Sequence, residues 1–360
     1  MWGAVQLGVL AAFLVLFVPI GMAGWHLSRN KMLFFSCALF ITLSVCVHLT
    51  PYFPSVSNML FSSGSTPLSS SSLSLSSVNL DSCISLLHQV SFDFQELNNN
   101  VGKNSSWKWI ESEPVVQCDF QKLDKSDASD LFNGSWVVIA GDSQARLFVV
   151  SLLELLLGGN EMEMIRGDLF KRHSDYHIFI DEIGMKLDFI WAPYVSNLTD
   201  LVLGFEEKKS YPDVFVIGTG LWDMLHINNA TDYGVSLKLL ADLVVLLLPV
   251  PSDFGANLVS VRSPNFFWLG MPKLINSMLN TNEKREKMTD EMWQAYTDEL
   301  YSSKLLRQSG GPLVLLDIHA LSNKCGALCT ADGMHYHGVV YEAAVHVMLN
   351  GLLIESNQKL

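Results

Sequence analysis

The sequence predicts an α/β fold: a parallel sheet with helices on both faces, preceded by two transmembrane helices. Three observations carry this. From residue 135 onward, short apolar runs alternate with longer helical ones, the pattern of strand–helix–strand units. Turn residues close the apolar runs, with Gly141-Asp142-Ser143 and Gly218-Thr219-Gly220 as the sharpest cases. Two uncharged apolar stretches, at 3–23 and 32–49, open the chain at near membrane-spanning length.

Between those stretches lies a short polar segment with Arg29 and Lys31. If both stretches span, this loop is cytosolic by the positive-inside rule and the rest of the chain is luminal. The organisation is then a span at 1–24, a cytosolic loop at 25–31 and a span at 32–50. A cleaved signal peptide is the rival reading of the first stretch, but a basic leading region is missing and the apolar core is long for that role. Serine dominates 61–77, a composition that cannot bury a core, so 51–80 reads as a luminal stem. A mixed lead-in segment (81–134) precedes the α/β domain (135–360).

Past residue 50 the chain holds 21 Lys and Arg against 36 Asp and Glu, a net charge of −15. Such acidity, without a basic aromatic-studded patch, excludes nucleic acid and anionic lipid as partners and favours neutral or cationic ones. Sequons at Asn104, Asn133, Asn197 and Asn229 fit a glycosylated luminal body. Cys37 and Cys46 fall in the second apolar stretch, which leaves Cys83, Cys118, Cys325 and Cys329 in the body. In an oxidising lumen the most local pairing is Cys83–Cys118 with Cys325–Cys329; the alternative is buried free thiols. No cysteine pair has histidines at zinc-ligand spacing, so no metal site is expected.

Within the α/β domain, strands are predicted over 136–140, 187–191, 213–217, 258–261 and 313–317. Residues 177–180 and 185–190, around Asp181-Glu182-Ile183-Gly184, read alternatively as a hairpin. Helices are predicted over 144–157, 235–247, 290–306 and 339–352. In the third, Trp293, Tyr296 and Leu300 share one face, the mark of a helix packed on a core.

The first strand stops at Ser143, so that hydroxyl stands at the carboxyl end of a strand and the amino end of a helix. Helix dipole and free amides there favour developing negative charge, which an attacking serine needs. Near the other end of the chain, Asp332 and His335 are three residues apart, so a helical turn would bring their side chains together. An acid that orients an imidazole, and an imidazole that takes the serine proton, complete a nucleophilic triad in the order Ser, Asp, His. His337 is a rival base, displaced from Asp332 around such a turn, while His319 reads as a strand-end residue.

These motifs together resemble the trichome-birefringence-like polysaccharide O-acetyltransferases of plants, within the SGNH and PC-esterase superfamily. The likeness takes in Arg146, three residues after the serine, and Trp191-Ala192-Pro193-Tyr194, similar to an aromatic-Ala-Pro segment. Gly218-Thr219-Gly220-Leu221-Trp222 is similar to the family's Asn-Thr-Gly-His-Trp, with Gly218 in place of asparagine and Leu221 in place of histidine. A larger cysteine-rich N-terminal region of the family is missing, which brings the chain nearer to a shorter Golgi type.

The resemblance implies an SGNH-hydrolase-like sheet and a membrane-anchored Golgi protein acting on wall polysaccharide of the xyloglucan or xylan type. It further implies an acetyl donor, acetyl-CoA or an acetylated carrier, with no tightly bound cofactor. A donor transporter and other acetyltransferases are the implied partners. Ser143 is then the nucleophile, His335 the base and Asp332 its orienting acid. The amide of Ser143 is one oxyanion donor, and the Gly218–Gly220 turn supplies a second through a backbone amide or the Thr219 hydroxyl. Asp142 is a structural acceptor. Arg146 either anchors the site or the donor, or sits in a plain ion pair. Trp191, Tyr194 and Trp222 either stack on a sugar or pack. An esterase with the same triad and a non-catalytic polysaccharide-binding partner are the competing functions.

Overall fold

The computed structural model describes residues 80–94, 105–248 and 264–356. Both predicted spans, the loop between them, the stem through residue 79, the sequon at Asn104 and the strand expected over 258–261 lie outside the described residues.

The lead-in segment folds as helix α1 (Leu80–Leu86), an antiparallel pair β1 (Val90–Phe94) and β2 (Ser105–Trp109), and helices α2 (Glu113–Gln117) and α3 (Lys125–Phe132). Asp124 caps α3 by accepting from the Asp127 amide at 3.0 Å, which satisfies one of the donors a helix start leaves open.

The α/β domain begins with β3 (Trp136–Gly141), followed by α4 (Ser143–Leu157) and α5 (Gly159–Leu169). A hairpin β4 (Tyr176–Ile180) and β5 (Met185–Trp191) follows, then α6 (Val195–Lys208), β6 (Val214–Gly218), α7 (Leu221–His226) and α8 (Ala230–Leu246). The chain continues through β7 (Asn265–Leu269), α9 (Asn282–Lys287), α10 (Asp290–Ser302), β8 (Val314–Leu316), α11 (Ile318–Cys325) and α12 (Gly338–Ser356). The strands form one sheet in the order β4-β5-β3-β6-β7-β8, parallel except for the edge strand β4.

Strand β3 is apolar throughout because both of its faces are covered. Val137 and Ile139 join a core with Phe148, Leu152 of α4 and Tyr341, Met348 of α12. Val138 and Ala140 point the other way, into a core with Leu198, Val202 of α6 and Leu237, Leu240 of α8. Each fully buried aliphatic side chain contributes about 1.5–3 kcal/mol, so β3 is an anchor for both layers.

Two neighbours flank β3, and the chain reaches them in opposite directions: β5 on one side and β6 on the other. This makes β3 the switch point of the sheet, where a crevice opens beyond the carboxyl ends of the strands. Ser143 begins α4 at that point. Helix α12 is long and apolar enough to cross a membrane by length and composition, but 78% of its apolar window is buried in the fold. It is the central core helix.

Several boundaries differ from the sequence expectation. The strand next to β6 is β7, whose Asn-Phe-Phe-Trp-Leu run is a buried central strand without alternation. Helix α8 starts at Ala230 because the Asn229 side chain accepts from the amides of Thr231 and Asp232. Helix α10 stops at Ser302; Tyr296 and Leu300 are buried and Trp293 is half-buried.

The lead-in segment is fastened to the α/β domain by polar contacts across more than two hundred residues of chain. The Gln121 amide donates to Asn350 Oδ1 and Asn350 Nδ2 donates to the Gln121 carbonyl, each at 2.8 Å. His88 accepts from the Asp317 amide through Nε2 at 2.9 Å. Burial lowers the His88 pKa to about 4, keeping the ring neutral and able to accept. A disulfide joins Cys83 to Cys118, and a second joins Cys325 to Cys329. Cys83–Cys118 spans 35 residues, a loop whose closure limits the unfolded chain by about 4 kcal/mol on the chain-entropy account. Replacing both with serine should lower the urea midpoint by a stability loss of up to about 4 kcal/mol, and dithiothreitol should then have a smaller effect on the variant than on the natural chain.

Candidate active site

Ser143 owes its position to two glycines. A Cβ on Gly141 would stand 2.3 Å from the Gly218 carbonyl oxygen, and one on Gly218 would stand 2.2 Å from the Leu269 carbonyl oxygen. The ends of β3, β6 and β7 therefore close up with no side chains between them. Asp142 caps α4, its carboxylate accepting from the Gln144 amide at 2.9 Å. Ser143 is the first helical residue, so its own amide has no carbonyl partner within the helix.

His335 and Asp332 reach Ser143 from the loop before α12. Ser143 Oγ lies 2.8 Å from His335 Nε2, and His335 Nδ1 lies 2.6 Å from Asp332 Oδ2. A carboxylate only accepts, so the imidazole carries its proton on Nδ1 and Nε2 accepts from the serine hydroxyl. Burial alone would raise the Asp332 carboxyl. Hydrogen bonds from the His335 ring and from the amides of His335 and Met334 outweigh that and hold it below the ordinary aspartate value.

The contact between Asp332 and His335 does not come from a helical turn, contrary to the spacing argument. Residues 331–335 form a bent loop, and Asp332 Oδ1 bonds the amides two and three residues ahead of it, an Asx turn. Gly333 sits at φ +77° with its α-carbon against the Ile275 carbonyl, where a Cβ would come within 2.5 Å. Only glycine fits that bend. The Cys325–Cys329 disulfide precedes the loop, and Thr330 Oγ1 donates to the His335 carbonyl at 2.8 Å. His337 bonds neither Asp332 nor Ser143; its ring lines a separate cavity of about 610 Å³ with Ser151 and Glu342. His319 stacks on Trp293 at a centroid distance of 4.0 Å, away from the triad.

The oxyanion expectation needs one correction. The Thr219 hydroxyl is not available as a donor: it is buried and hydrogen-bonds the Pro193 carbonyl. Thr219 and Gly220 leave their backbone amides without a described protein acceptor, so the turn can offer only amides. Gly220 has φ +140°, and a Cβ there would meet Met271 Sδ at 2.5 Å. The close approach at Gly218 also rules out an asparagine at that position.

Of the two roles expected of Arg146, the plain ion pair is not formed. The side chain is 8% exposed, and no carboxylate lies within ion-pair distance among the described residues. Its guanidinium lies over Trp191 at 4.8 Å, Phe189 at 5.4 Å and Phe170 at 5.9 Å, and its Nε and Nη2 have no hydrogen-bond partner. Burial lowers its pKa, and the nearby Asp142 opposes this.

Three further residues escaped the sequence reading. Gln144 is buried and bridges the two halves of the triad: its Nε2 donates to the Met334 carbonyl at 3.1 Å, and Tyr341 donates its hydroxyl proton to Gln144 Oε1. Gln144 thus ties the loop that carries His335 to the start of α4. Its signal in the sequence is weak, since Arg146 and Ser151 are also polar and buried on the same helix. Asp223, 3% exposed, lies 3.1 Å from Thr219 Oγ1 through Oδ2. The Thr219 proton is committed to Pro193, so this second contact is a hydrogen bond only when Asp223 is protonated. Burial raises both Asp223 and Asp142 to about 6. No sequence signal marks Asp223. His173, at φ +53° on the exposed turn between α5 and β4, stacks on Trp191.

The sequons at Asn133, Asn197 and Asn229 lie at exposed positions. No group of three or more His, Cys, Asp or Glu side chains is placed to hold a metal among the described residues.

No protein-family model matches the chain. It is 55% identical, over 376 aligned residues covering all of both chains, to Protein ALTERED XYLOGLUCAN 9 of Arabidopsis thaliana. Among solved structures it is similar to LAE5, an alpha/beta hydrolase enzyme from the metagenome of Lake Arreo, at 14% identity and TM-score 0.36, covering 61% of this chain and 97% of that one. It is also similar to Axe2, an acetylxylan esterase from Geobacillus stearothermophilus, at 14% identity and TM-score 0.34, covering 62% of this chain and 95% of that one.

Two expectations follow from the geometry. Gln144→Leu, which can neither donate to the Met334 carbonyl nor accept from the Tyr341 hydroxyl, should lower the unfolding free energy by about 1–3 kcal/mol; urea denaturation would show it. Asp223 carries a native pKa of about 6 against 3.8 unfolded. The native state then holds a proton the unfolded chain has lost, so stability falls as pH rises from about 4 to 6, by on the order of 3 kcal/mol. Asp223→Asn, whose amide donates to Thr219 at every pH, should flatten that decline in denaturation curves taken across the window.

Proposed function

This chain belongs to the family of Protein ALTERED XYLOGLUCAN 9, and from that premise we propose that it transfers acetyl groups to cell-wall polysaccharide through an acetyl-serine intermediate. The observation that carries the reading is the unbroken line Asp332–His335–Ser143, with contacts of 2.6 and 2.8 Å.

Ser143 Oγ attacks the acetyl carbonyl of the donor while His335 Nε2 takes its proton. Asp332, held ionised by its hydrogen bonds, stabilises the imidazolium. The carbonyl π-electrons move onto oxygen, where the Ser143 amide at the start of α4 and the amides of Thr219 and Gly220 are placed to receive the charge. Collapse breaks the bond to the donor's leaving group, which departs with the proton from His335. In the second half, a sugar hydroxyl gives its proton to His335 as it attacks the acetyl-serine carbonyl; collapse breaks the bond to Ser143 Oγ, which takes that proton back from His335, and leaves the new sugar ester. Water in place of the sugar hydroxyl makes the same protein an esterase.

The reading extends to surroundings. A Golgi-luminal, membrane-anchored enzyme fits the two N-terminal apolar stretches, the disulfides and the exposed sequons. The donor is acetyl-CoA or an acetylated carrier, supplied by a transporter. Neutral wall glycans of the xyloglucan or xylan type fit an acidic protein that would repel polyanions.

The test is acetate release from 4-nitrophenyl acetate with and without a deacetylated xyloglucan oligosaccharide. Acetyl groups should appear on the oligosaccharide as acetate release falls. Acetate release that is indifferent to the sugar would leave only the esterase. Ser143→Ala should lose about 10⁴-fold or more of the activity, and no acetyl adduct should be found on its peptide by mass spectrometry.

A further inference from the structure

Two tryptophans stand at right angles beside the nucleophile. Trp191 ends β5 and is the register partner of Gly141, two residues before Ser143. Trp222 follows the Gly218–Gly220 turn, on the other side of β3. Their centroids are 5.6 Å apart at 87°, and both are half-buried. The corner they form stands over the carboxyl ends of β5, β3 and β6, where Ser143 is.

The ring of His173 occupies that corner. It is stacked on Trp191 at 4.9 Å and 17°, and set edge-on to Trp222 at 5.1 Å and 83°. The buried Arg146 lies over the same indole at 4.8 Å. Two groups that close to one ring centroid have no room on a single face, so Arg146 backs the inner face and His173 covers the outer one. His173 is exposed, and no hydrogen bond holds its ring among the described residues. Its turn is fastened by a neighbour: Asp175 Oδ1 accepts from the Trp191 amide at 2.8 Å. The imidazole can therefore leave while the turn stays in place.

Building on the acetyl-transfer reading, we propose that the Trp191–Trp222 corner seats a neutral pyranose ring of the acceptor, and that His173 fills this seat in the uncomplexed protein. The C–H face of a pyranose packs on an indole as a flat ring does, and a second indole at right angles limits how far the sugar slides. Tyr194 and His226 border Trp222, with the tyrosine oxygen 3.3 Å from His226 Nδ1, and offer polar groups to the sugar hydroxyls. The sugar displaces the imidazole, so the seat is self-occluded and its affinity is reduced by the fraction of time it stands open.

The experiment uses the full chain with 4-nitrophenyl acetate as donor and a deacetylated xyloglucan oligosaccharide as acceptor. The nitrophenolate burst reports acylation of Ser143, and acetylated sugar reports transfer. His173→Ala should lower the acceptor KM by roughly fivefold, as expected for a seat open about a fifth of the time, with the burst unchanged. His173→Trp should raise KM, and Trp222→Ala should raise it by about tenfold or more. A normal burst with acceptor KM within twofold in both His173 variants would overturn the proposal. Absence of a burst in the natural chain would instead sink the acetyl-transfer reading. Tryptophan fluorescence titration with the oligosaccharide would then still decide the seat: tighter binding in His173→Ala supports it, and equal binding refutes it.

Discussion

Everything at the candidate site depends on how closely three strands approach at their carboxyl ends. The Gly141, Gly218 and Leu269 backbones leave no space for a Cβ at either glycine. This contact brings the start of α4 beside the Gly218–Gly220 turn, so that the Ser143 hydroxyl and the open amides of the turn share one rim. The second half of the triad arrives by a different device. An aspartate folds its own loop around itself, and a glutamine next to the serine ties that loop down. Sheet closure and loop tether are independent constructions that meet at the 2.8 Å contact between Ser143 and His335.

The electrostatics follow the same division. Asp332 is kept ionised by donors arranged around it, whereas Asp142 and Asp223 are driven toward their neutral forms by burial. Asp332 bonds the His335 ring, Asp142 caps α4 through the Gln144 amide, and Asp223 lies against the Thr219 hydroxyl. Arg146, encased in Phe170, Phe189 and Trp191, supplies a positive charge close to the serine without committing it to any carboxylate.

Strand β3, the turn at Ser143, helix α4 and the pairing of Ser143 with Asp332 and His335 were all legible in the chain, because each is carried by local pattern or residue chemistry. The family likeness read from those motifs agrees with the full-length relative. Strand β7 and helix α6 were not among the predicted elements, although Val195, Leu198, Val202 and Phe205 of α6 recur at helical spacing and are buried. The Asx turn replaced the expected helical turn since Asp332 competes for its own downstream amides. The fate of the Thr219 hydroxyl could not be read at all. It is decided by Pro193, which a separate strand and turn bring within reach. Gln144 belongs to the same class, since its partners Tyr341 and Met334 lie about two hundred residues away in sequence.

The Cys325–Cys329 bridge closes a ring of five residues immediately ahead of the loop that carries the base. Both of its cysteines are buried in the core layer that α11 and α12 form against the sheet. What the bridge governs is how firmly one end of the Asp332 turn is held. The bridge is thus a clasp on the loop: with it closed, fewer loop conformations compete with the one that keeps His335 against Ser143.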